Sequence, residues 1–254
     1  MKRAKLFLIQ KLPRHQLIRF SFIFSKIFSI FLRGNKYYCP ICDASFRTFF
    51  AYGSKHRDNA LCPGCLSLER HRLLWFYLKN ETNFFKDKLK FLHLAPEQCF
   101  YGKFKKMPNL DYITGDLNSP LAKVKLDIHQ MPFKDNQFDV VFANHVLEHV
   151  DDDIQAMKEI YRTLRPGGWA ILQVPIDIKR DRTYEDKTVF DPVDREKLFG
   201  QYDHLRLYGR DYADRLATAG FKVQPKRYCE HLNEATIKKS NLMQSEVIYI
   251  AKKE

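Results

Sequence analysis

The first 36 residues contain no aspartate or glutamate, although nine of the 43 lysines and arginines fall there. The remaining 34 basic residues face 30 acidic ones, so most of the chain is only mildly basic. A basic groove over the whole protein is therefore not expected, and the positive field belongs to one end. Long apolar runs are also lacking, because the apolar stretch at residues 20–32 is too short to cross a bilayer. No small-residue cleavage site follows it, so we do not expect a cleaved signal peptide.

The same stretch has the pattern of an amphipathic helix. Its apolar side chains recur at helical spacing at Phe20, Ile23, Phe24, Ile27, Phe28 and Phe31. Serines and basic side chains fall on the opposite face. We expect residues 1–36 to form a basic amphipathic segment with one of two roles. It either lies in a membrane interface rich in anionic lipid, or packs on the body or a second subunit. The first role would put a cytoplasmic protein on the inner face of the cytoplasmic membrane.

Four of the six cysteines form two C-x-x-C pairs, Cys39 with Cys42 and Cys62 with Cys65. Each tight turn presents two thiolates to one ion, and two such turns make a closed tetrahedral zinc site. We therefore predict a zinc ribbon at residues 37–66, with Zn²⁺ in a structural role because four thiolates leave no open position. Disulfides are the alternative, which adjacent pairs in a chain without export signals do not favour.

A helix is expected to connect the ribbon to the rest of the chain, within residues 67–87. It carries apolar residues among charged ones, including the consecutive Arg70, His71 and Arg72. These three allow two interpretations, contact with a substrate or nucleic acid, or a solvated helix face. The second is the more common situation for such a run.

Seven strand-like segments alternate with helical patterns from residue 88 to residue 254. They lie at residues 89–94, 112–114, 124–126, 138–143, 169–174, 221–228 and 247–251. A helix is predicted at residues 151–164, with three aspartates favouring its N-terminus. The alternation predicts an α/β fold, a Rossmann-like doubly wound sheet of seven mostly parallel strands with an antiparallel hairpin at one edge. Ligands bind such sheets beyond the carboxyl ends of the strands.

Residues 133–175 resemble the fourth and fifth strands of class I methyltransferases, which use S-adenosylmethionine (SAM). The segment reads as a buried strand, an amphipathic helix, a Pro-Gly-Gly turn and a second strand. The resemblance extends over residues 88–254 and implies SAM as the cofactor. It implies further that Asn144 and His145 lie under the methyl-donor end of that cofactor.

Two acidic residues also match positions of that family. Asp116 follows the second strand and would bind the ribose hydroxyls, and Asp127 follows the third and would lie near the adenine amino group. The resemblance also implies cofactor contacts from their neighbours Leu117 and Ile128, since apolar side chains flank the adenine ring in such sites.

The first loop departs from the family's pattern of an acidic residue followed by glycines at alternate positions. His93 stands where the acid is expected, and Ala95, Glu97 and Cys99 replace the glycines. Alanine fits there if its φ is negative, and Pro96 gives the loop another course. We hypothesise that Glu97 binds the positively charged amino group of the cofactor's methionine moiety. The cofactor contacts implied for this loop are His93, Ala95 and Glu97.

The chain also resembles a narrower group of bacterial methyltransferases in which a zinc ribbon precedes the fold. In that group the first loop reads His-x-Ala-Pro-Glu, and a late segment reads Phe-Gly-Gln-x-Asp-His-x-Arg-x-Tyr-Gly. Here these are residues 93–97 and 199–209.

The late segment belongs to a long insertion, residues 176–210, which we expect to cover the acceptor pocket. His204, Arg206 and Tyr208 are expected to face inward. The candidate catalytic bases are His145 and His149 after the fourth strand, and His204 with Asp203 in the late segment, because a base is needed when the acceptor atom carries a proton.

The resemblance implies a SAM-dependent methyltransferase that acts on a small-molecule or carbohydrate- or lipid-linked acceptor. Two alternatives stay open. One is an RNA methyltransferase whose ribbon reads RNA, which the nearly neutral body does not favour. The other is a non-catalytic zinc-ribbon interaction protein that keeps the fold.

Overall fold

The computed structural model describes residues 14–53 and 56–254. Its N-terminal elements are α1 (Arg14–Phe31), β1 (Arg33–Cys39), β2 (Ala44–Phe46), β3 (Phe50–Tyr52), β4 (Arg57–Leu61) and α2 (Glu69–Glu81). Strand β1 pairs antiparallel with β2, and β3 with β4. Cys39 ends β1 and Cys62 directly follows β4, so both C-x-x-C pairs start at strand ends. The first part of the predicted basic segment, residues 1–13, lies outside the described residues.

Helix α1 turns its serine face towards the protein and its apolar face towards solvent. Ser25 is 2% exposed, and Gln98 Nε2 donates a hydrogen bond to Ser21 Oγ over 2.8 Å. Large apolar side chains that are 49–72% exposed point outward, namely Phe20, Ile23, Phe24, Ile27, Ile30 and Phe31. Within residues 14–53 and 56–254, no helix is both long and apolar enough to span a membrane. The apolar face of α1 is therefore left largely uncovered by the described chain.

The remaining elements form the α/β domain. They are β5 (Leu89–Leu94), α3 (Gln98–Phe104), β6 (Leu110–Asp116), β7 (Val124–Lys125), β8 (Phe138–Ala143), α4 (Asp153–Thr163), β9 (Leu164–Ile171), β10 (Tyr184–Glu185), α5 (Pro192–Phe199), β11 (Arg206–Leu207), α6 (Tyr212–Thr218), β12 (Lys222–Lys226), α7 (Glu234–Lys239) and β13 (Ile248–Lys252). Single turns of 3-10 helix lie at Leu147–His149 and Tyr228–His231. Asp152 begins α4 as its N-cap, because its side chain accepts a hydrogen bond from the Gln155 amide.

Seven of these strands form one sheet in the order β12-β13-β9-β8-β5-β6-β7. Strands β5 to β9 are parallel, whereas β13 pairs antiparallel with both β9 and β12. The predicted doubly wound α/β fold is confirmed. The predicted Pro-Gly-Gly turn forms an irregularity inside β9. Phe138 pairs with Leu164 and Val140 with Trp169, so residues 165–168 bulge out of the pairing with β8, and Gly167 has φ of +78°.

The register of the central strands brings several loops together at one edge of the sheet. Leu94, the last residue of β5, pairs with Gly115 of β6 and with Ala143 of β8. The residues that come next, among them Asp116 and Asn144, therefore meet at the carboxyl edge, where ligands of parallel sheets bind.

Side chains of the strands alternate between two apolar cores, one on each face of the sheet. In β5, Phe91 belongs to one core and Leu92 to the other, and in β8 Phe142 and Val141 divide in the same way. The core that contains Phe91 continues through α2 into the ribbon, where it includes Phe46. The ribbon and the sheet thus share one hydrophobic core.

Arg72 of α2 is the polar link within that shared core. Its guanidinium is fully buried and donates to four backbone carbonyl oxygens over 2.7–3.1 Å. Ala60 and Ser67 supply two of them from the ribbon and its exit, and Ser240 and Asn241 supply two from the segment after α7. Within the described residues, no carboxylate forms a salt bridge with Arg72. Backbone carbonyls therefore hold this charge in place.

The interpretation of Arg70, His71 and Arg72 as a solvated helix face is wrong. Arg72 is 0% and His71 7% exposed, because the ribbon and the C-terminal segment cover this side of α2. Arg70 lines a cavity between the ribbon and the α/β domain.

We predict that Arg72→Lys lowers the free energy of unfolding by about 3 kcal/mol, because an ammonium cannot reach four carbonyls and leaves buried acceptors unpaired. Urea denaturation of the full chain measures the change. Arg180→Lys is the matched control, since the Arg180 side chain is 45% exposed in its pair with Asp177. Equal urea midpoints for the two variants would show that Arg72 does not link the ribbon to the sheet.

Candidate active site

The loop after β5 keeps a left-handed backbone without a glycine. Ala95 has φ of +46°, and its amide donates to Gly115 O over 2.9 Å. The condition of a negative φ is not met: the bond to β6 fixes the conformation, at a cost of about 1 kcal/mol for a residue with a Cβ. His145, in the loop after β8, has φ of +55°, and its amide donates to Gln173 O over 2.7 Å. Such strain concentrates at functional sites.

Glu97 lies at the centre of a polar cluster between these two loops. Asn144 Nδ2 donates to Glu97 Oε1 over 2.8 Å, and His93 Nε2 contacts Glu97 Oε2. His71 Nε2 lies 4.0 Å from Oε1. On its other side, His93 Nδ1 is 2.9 Å from the Tyr112 hydroxyl. The carboxylate thus ties together side chains from β5, α2 and the loop after β8.

The cluster keeps Glu97 ionised. Burial alone would raise its pKa, but the charge and hydrogen bond of His93, with contributions from His71 and Asn144, lower the pKa to about 2. Burial, with the nearby charge of Arg70, lowers the pKa of His71 well below its usual value. At neutral pH the Glu97 carboxylate is therefore ionised, and the imidazole of His71 beside it is neutral.

The structure separates the roles of the residues predicted in this loop. The Glu97 side chain is 14% exposed at the carboxyl edge, whereas His93 is fully buried. The imidazole of His93 lies beneath Glu97 and orients it, and its direct contact with the cofactor stays a prediction. Cys99 is buried as expected, and its Sγ lies 3.3 Å from His71 Nδ1.

The second and third predicted acids lie at the same edge. Asp116 Oδ1 accepts hydrogen bonds from the amides of Asn118 and Ser119, and no described residue donates to its Oδ2. Asp127 Oδ1 accepts from the His129 amide over 2.9 Å and contacts its ring at 2.7 Å. Both carboxylates keep an oxygen for a ligand. Their apolar neighbours differ, since Leu117 is 54% exposed whereas Ile128 is buried.

Several buried polar atoms around Glu97 have no partner among the described residues. They are Asn144 Oδ1, His71 Nε2 and His145 Nε2. Unpaired buried atoms are costly and are normally satisfied by a ligand or water. With the free oxygens of Asp116 and Asp127, they fit a ligand that has hydroxyl groups, an amine and a cationic end.

A cavity of about 960 Å³ opens beyond His145. Its walls come from four parts of the chain: the ribbon, α2, the loop after β8 and the C-terminal half. Its charged or ionisable lining side chains include Arg57, Glu69, Arg70, His145, Glu148, His149, Asp203 and Glu246. His145 Nδ1 is 3.1 Å from Glu148 Oε1, and burial raises the pKa of Glu246. These charged groups share the lining with apolar side chains such as Val174, Ile176 and Met243.

The insertion lies partly as expected. Residues 200–203 line the cavity. The prediction that Arg206 and Tyr208 face the acceptor pocket is wrong, because both side chains are buried in the fold. Arg206 Nη1 donates to the carbonyls of Leu147 and Val150, and the Tyr208 hydroxyl donates to Asp153. These bonds fasten the insertion to the turn before α4.

His204 does not reach the cavity either. It is 2% exposed, lies behind His149 with ring centroids 4.8 Å apart, and burial lowers its pKa. Of the histidines predicted as bases, His145 and His149 line the cavity, whereas His204 does not. The spacing of the late segment could not distinguish a buried histidine from an accessible one.

The four ribbon cysteines lie together. Their Sγ atoms are all within 4.8 Å of one another, and the Gly64 amide donates to Cys62 Sγ over 3.4 Å. A Cβ at Gly64 would lie 2.8 Å from the Phe46 ring, so the turn between Cys62 and Cys65 has no room for a larger residue at this position.

Comparison with known proteins agrees with this geometry. Residues 105–172 match the family described as a methyltransferase domain. The strand order and this match show a Rossmann-like methyltransferase fold, in which residues 105–172 are similar in sequence to a methyltransferase domain.

Particular relatives match only in part. The chain is 34% identical over 83 residues to the demethylmenaquinone methyltransferase of Chlorobaculum tepidum, a match that covers 33% of this chain and 29% of the relative. It is 43% identical over 108 residues to an uncharacterized methyltransferase of Schizosaccharomyces pombe, covering 42% and 37%. The chain thus spans well under half of the length of these curated relatives. The solved cyclase SpnF shares the fold, with a TM-score of 0.50 and 14% identity over 81% of this chain and 87% of that chain.

Proposed function

We propose that the protein transfers the methyl group of SAM to a polar acceptor bound in the cavity beyond His145. The observation that carries the proposal is the meeting of Glu97, Asp116 and Asn144 at the carboxyl edge, next to that cavity. A cofactor bound at the edge and an acceptor in the cavity would lie side by side, as group transfer requires.

Each polar residue at the carboxyl edge of the sheet binds a different group of the cofactor. Glu97 offers a permanent negative charge to the amino group, and Asp116 offers a carboxylate oxygen to ribose hydroxyls. Asp127 does the same for the adenine amino group. Asn144 holds Glu97 in place and keeps its own Oδ1 free. SAM supplies a methyl group on a sulfonium, which leaves as a neutral thioether.

His145 is the base that this geometry favours. Its Nδ1 lies against the Glu148 carboxylate, which can only accept, so Nδ1 carries the proton and Nε2 is left with a lone pair. Nε2 is buried without a partner among the described residues, and His145 lines the cavity. It is therefore placed to accept the proton of an acceptor hydroxyl.

The charged walls favour a polar acceptor such as a sugar or another polyol. An apolar acceptor would leave the buried polar groups unpaired, at about 1–3 kcal/mol for each. The menaquinone acceptor in the name of one relative and the sterols in the names of others belong to those proteins.

We predict that Glu97→Gln weakens binding of S-adenosylhomocysteine (SAH) by roughly ten- to a hundredfold, because a charge-assisted hydrogen bond to the amino group is lost. Calorimetry on the full chain measures the effect. The exposed Glu230→Gln is the control. Since Glu97 also holds its loop together, Asp116→Asn serves as a second, less buried variant that should weaken binding too.

Unchanged affinity in both variants would contradict the assignment of the cofactor site. No SAH binding by the folded native protein at millimolar concentration would instead support the non-catalytic alternative.

We also propose that the ribbon holds one structural Zn²⁺. Cys39 Sγ lies 3.5 Å from Cys65 Sγ, and Cys42 Sγ lies 3.7 Å from Cys62 Sγ. A tetrahedral zinc with bonds of about 2.3 Å sets its thiolates about 3.8 Å apart. All six cysteines of the chain lie within the described residues, and all are free. These contacts support zinc over disulfides.

Elemental analysis should find about one zinc per chain in the protein purified without chelator. Cys65→Ser should lose the zinc and melt at a lower temperature, because the ion joins the two halves of the ribbon. Cys229→Ser removes a buried thiol outside the ribbon and should keep the zinc. Zinc content that is unaffected by Cys65→Ser would contradict the site.

We further propose that α1 docks on a membrane surface that contains anionic lipid. Its exposed apolar residues form one face, and Lys26 and Arg33 are exposed nearby. The absence of acidic residues from positions 1–36 matches the charge of such a surface. The inward serine face leaves the apolar face free to insert. This location suits a lipid-linked glycan as acceptor.

The full chain should therefore co-sediment with vesicles of phosphatidylglycerol and phosphatidylcholine, more weakly as salt rises. The double variant Phe24→Glu and Ile27→Glu should abolish most of this binding, because it places charge on the apolar face. Phe190→Glu changes another exposed phenylalanine, 76% exposed, and is the matched control. Membrane docking would be contradicted if the double variant sedimented with vesicles as the native protein does. It would also be contradicted if the native protein were a dimer that only the double variant dissociates.

A further inference from the structure

Three potential metal ligands converge behind the wall of the cavity. Glu148 and His149 lie in the 3-10 turn after β8, and His204 lies in the insertion before β11. One ligand atom from each lies within 4.8 Å of the others. Glu148 is 1% and His204 2% exposed, so two of the three are removed from water. Methyl transfer as proposed above uses neither histidine.

The protonation of His204 follows from its partner. Its Nδ1 lies 3.1 Å from the carbonyl oxygen of Phe199, and a carbonyl can only accept. Nδ1 of the neutral ring therefore carries the proton, and Nε2 is left with a lone pair. Nε2 is buried and has no hydrogen-bond partner among the described residues.

In Glu148 and His149 as well, one polar atom contacts the protein and the other is free to bind a ligand. Glu148 Oε1 accepts from His145, while Oε2 is buried and unpartnered within the described chain. His149 Nδ1 faces the Asp203 carbonyl oxygen at 3.2 Å, with the Asp203 carboxylate at 3.5 Å. Its Nε2 therefore has a lone pair as well. Each of the three side chains is oriented through one atom and offers the other.

These offered atoms cannot satisfy one another, because all three are acceptors. A cation satisfies all of them at once, and buried acceptors without a partner are costly. We propose that Glu148, His149 and His204 bind a divalent transition-metal ion of the Mn²⁺ or Fe²⁺ type. Two imidazoles and a carboxylate suit such ions, and the orienting partners Phe199 and Asp203 are the outer contacts that metal-binding histidines use.

The site needs little movement to close. Donors bound to one ion at about 2.1 Å are at most about 4.2 Å apart. One ligand atom of each of the three side chains lies within 4.8 Å of the others, so a small side-chain shift brings the donors to that separation. His149, with a side chain 33% exposed, is free to make it.

The ion would also face the acceptor. Glu148 and His149 line the cavity, so the coordination positions that the protein leaves open are on that side. A bound oxygen of a polar acceptor would be fixed in place and would lose its proton more easily, for example to His145. This role rests on the proposed function, whereas the binding of the ion does not.

The test uses the zinc-loaded full chain and Mn²⁺, which does not compete for a thiolate site. Electron paramagnetic resonance of free Mn²⁺ measures binding, and about one Mn²⁺ per chain is expected. His149→Gln should weaken binding at least about tenfold. His231→Gln removes an exposed histidine elsewhere and should bind Mn²⁺ as the native protein does. Glu148→Gln is compared as well, with thermal melting as the check that it is folded.

Absence of Mn²⁺ binding at millimolar concentration, or equal binding by folded His149→Gln, would overturn the metal site. SAH calorimetry on the same samples separates the two proposals. Binding of SAH without Mn²⁺ binding rejects the metal site alone. Binding of Mn²⁺ that His149→Gln weakens, without SAH binding, supports the metal site and rejects the proposed cofactor.

Discussion

The geometry of the whole site depends on the buried guanidinium of Arg72. Its four bonds to backbone carbonyls fix α2 between the ribbon and the segment after α7. This placement of α2 also positions the two residues before Arg72. His71 Nε2 lies 4.0 Å from Glu97 Oε1, and Arg70 lines the cavity. An arginine buried without such partners would be strongly unfavourable, so ribbon, helix and sheet have to assemble together. The ribbon is therefore a wall of the site and not a separate appendage.

Side chains, and not glycines, shape the loop that the cofactor requires. Glycine would reach the left-handed backbone at Ala95 without strain. Here the amide bond to Gly115 and the contacts of Glu97 with His93 and Asn144 hold the same backbone in place. The result is a loop with less freedom than a glycine loop, and with a carboxylate held at its tip. Because these contacts lower the pKa of that carboxylate to about 2, it stays ionised at neutral pH.

Local patterns predicted the parts of the structure that depend on local physics. Strand and helix periodicity yielded the α/β sheet, and Asp116 and Asn144 follow strands whose carboxyl ends meet at one edge. Features that depend on contacts far apart in sequence could not be predicted. Arg72 is buried by residues about 170 positions away, Ala95 takes its φ from a bond to a neighbouring strand, and His204 is hidden by packing of the insertion. A sequence shows residue types at these positions, whereas burial decides their roles.

Most of the cavity lining lies outside the part of the chain that matches the methyltransferase domain. Of the described residues that line the cavity, only His145, Glu148 and His149 lie within the matched region 105–172. The other polar walls come from the ribbon, α2, the insertion and the residues before β13. A site built to bond polar groups rejects a ligand that lacks them, since its own buried groups are then left unpaired. The matched region therefore carries Asp116, Asp127 and Asn144 of the carboxyl edge, whereas Glu97 and most of the cavity wall lie outside it.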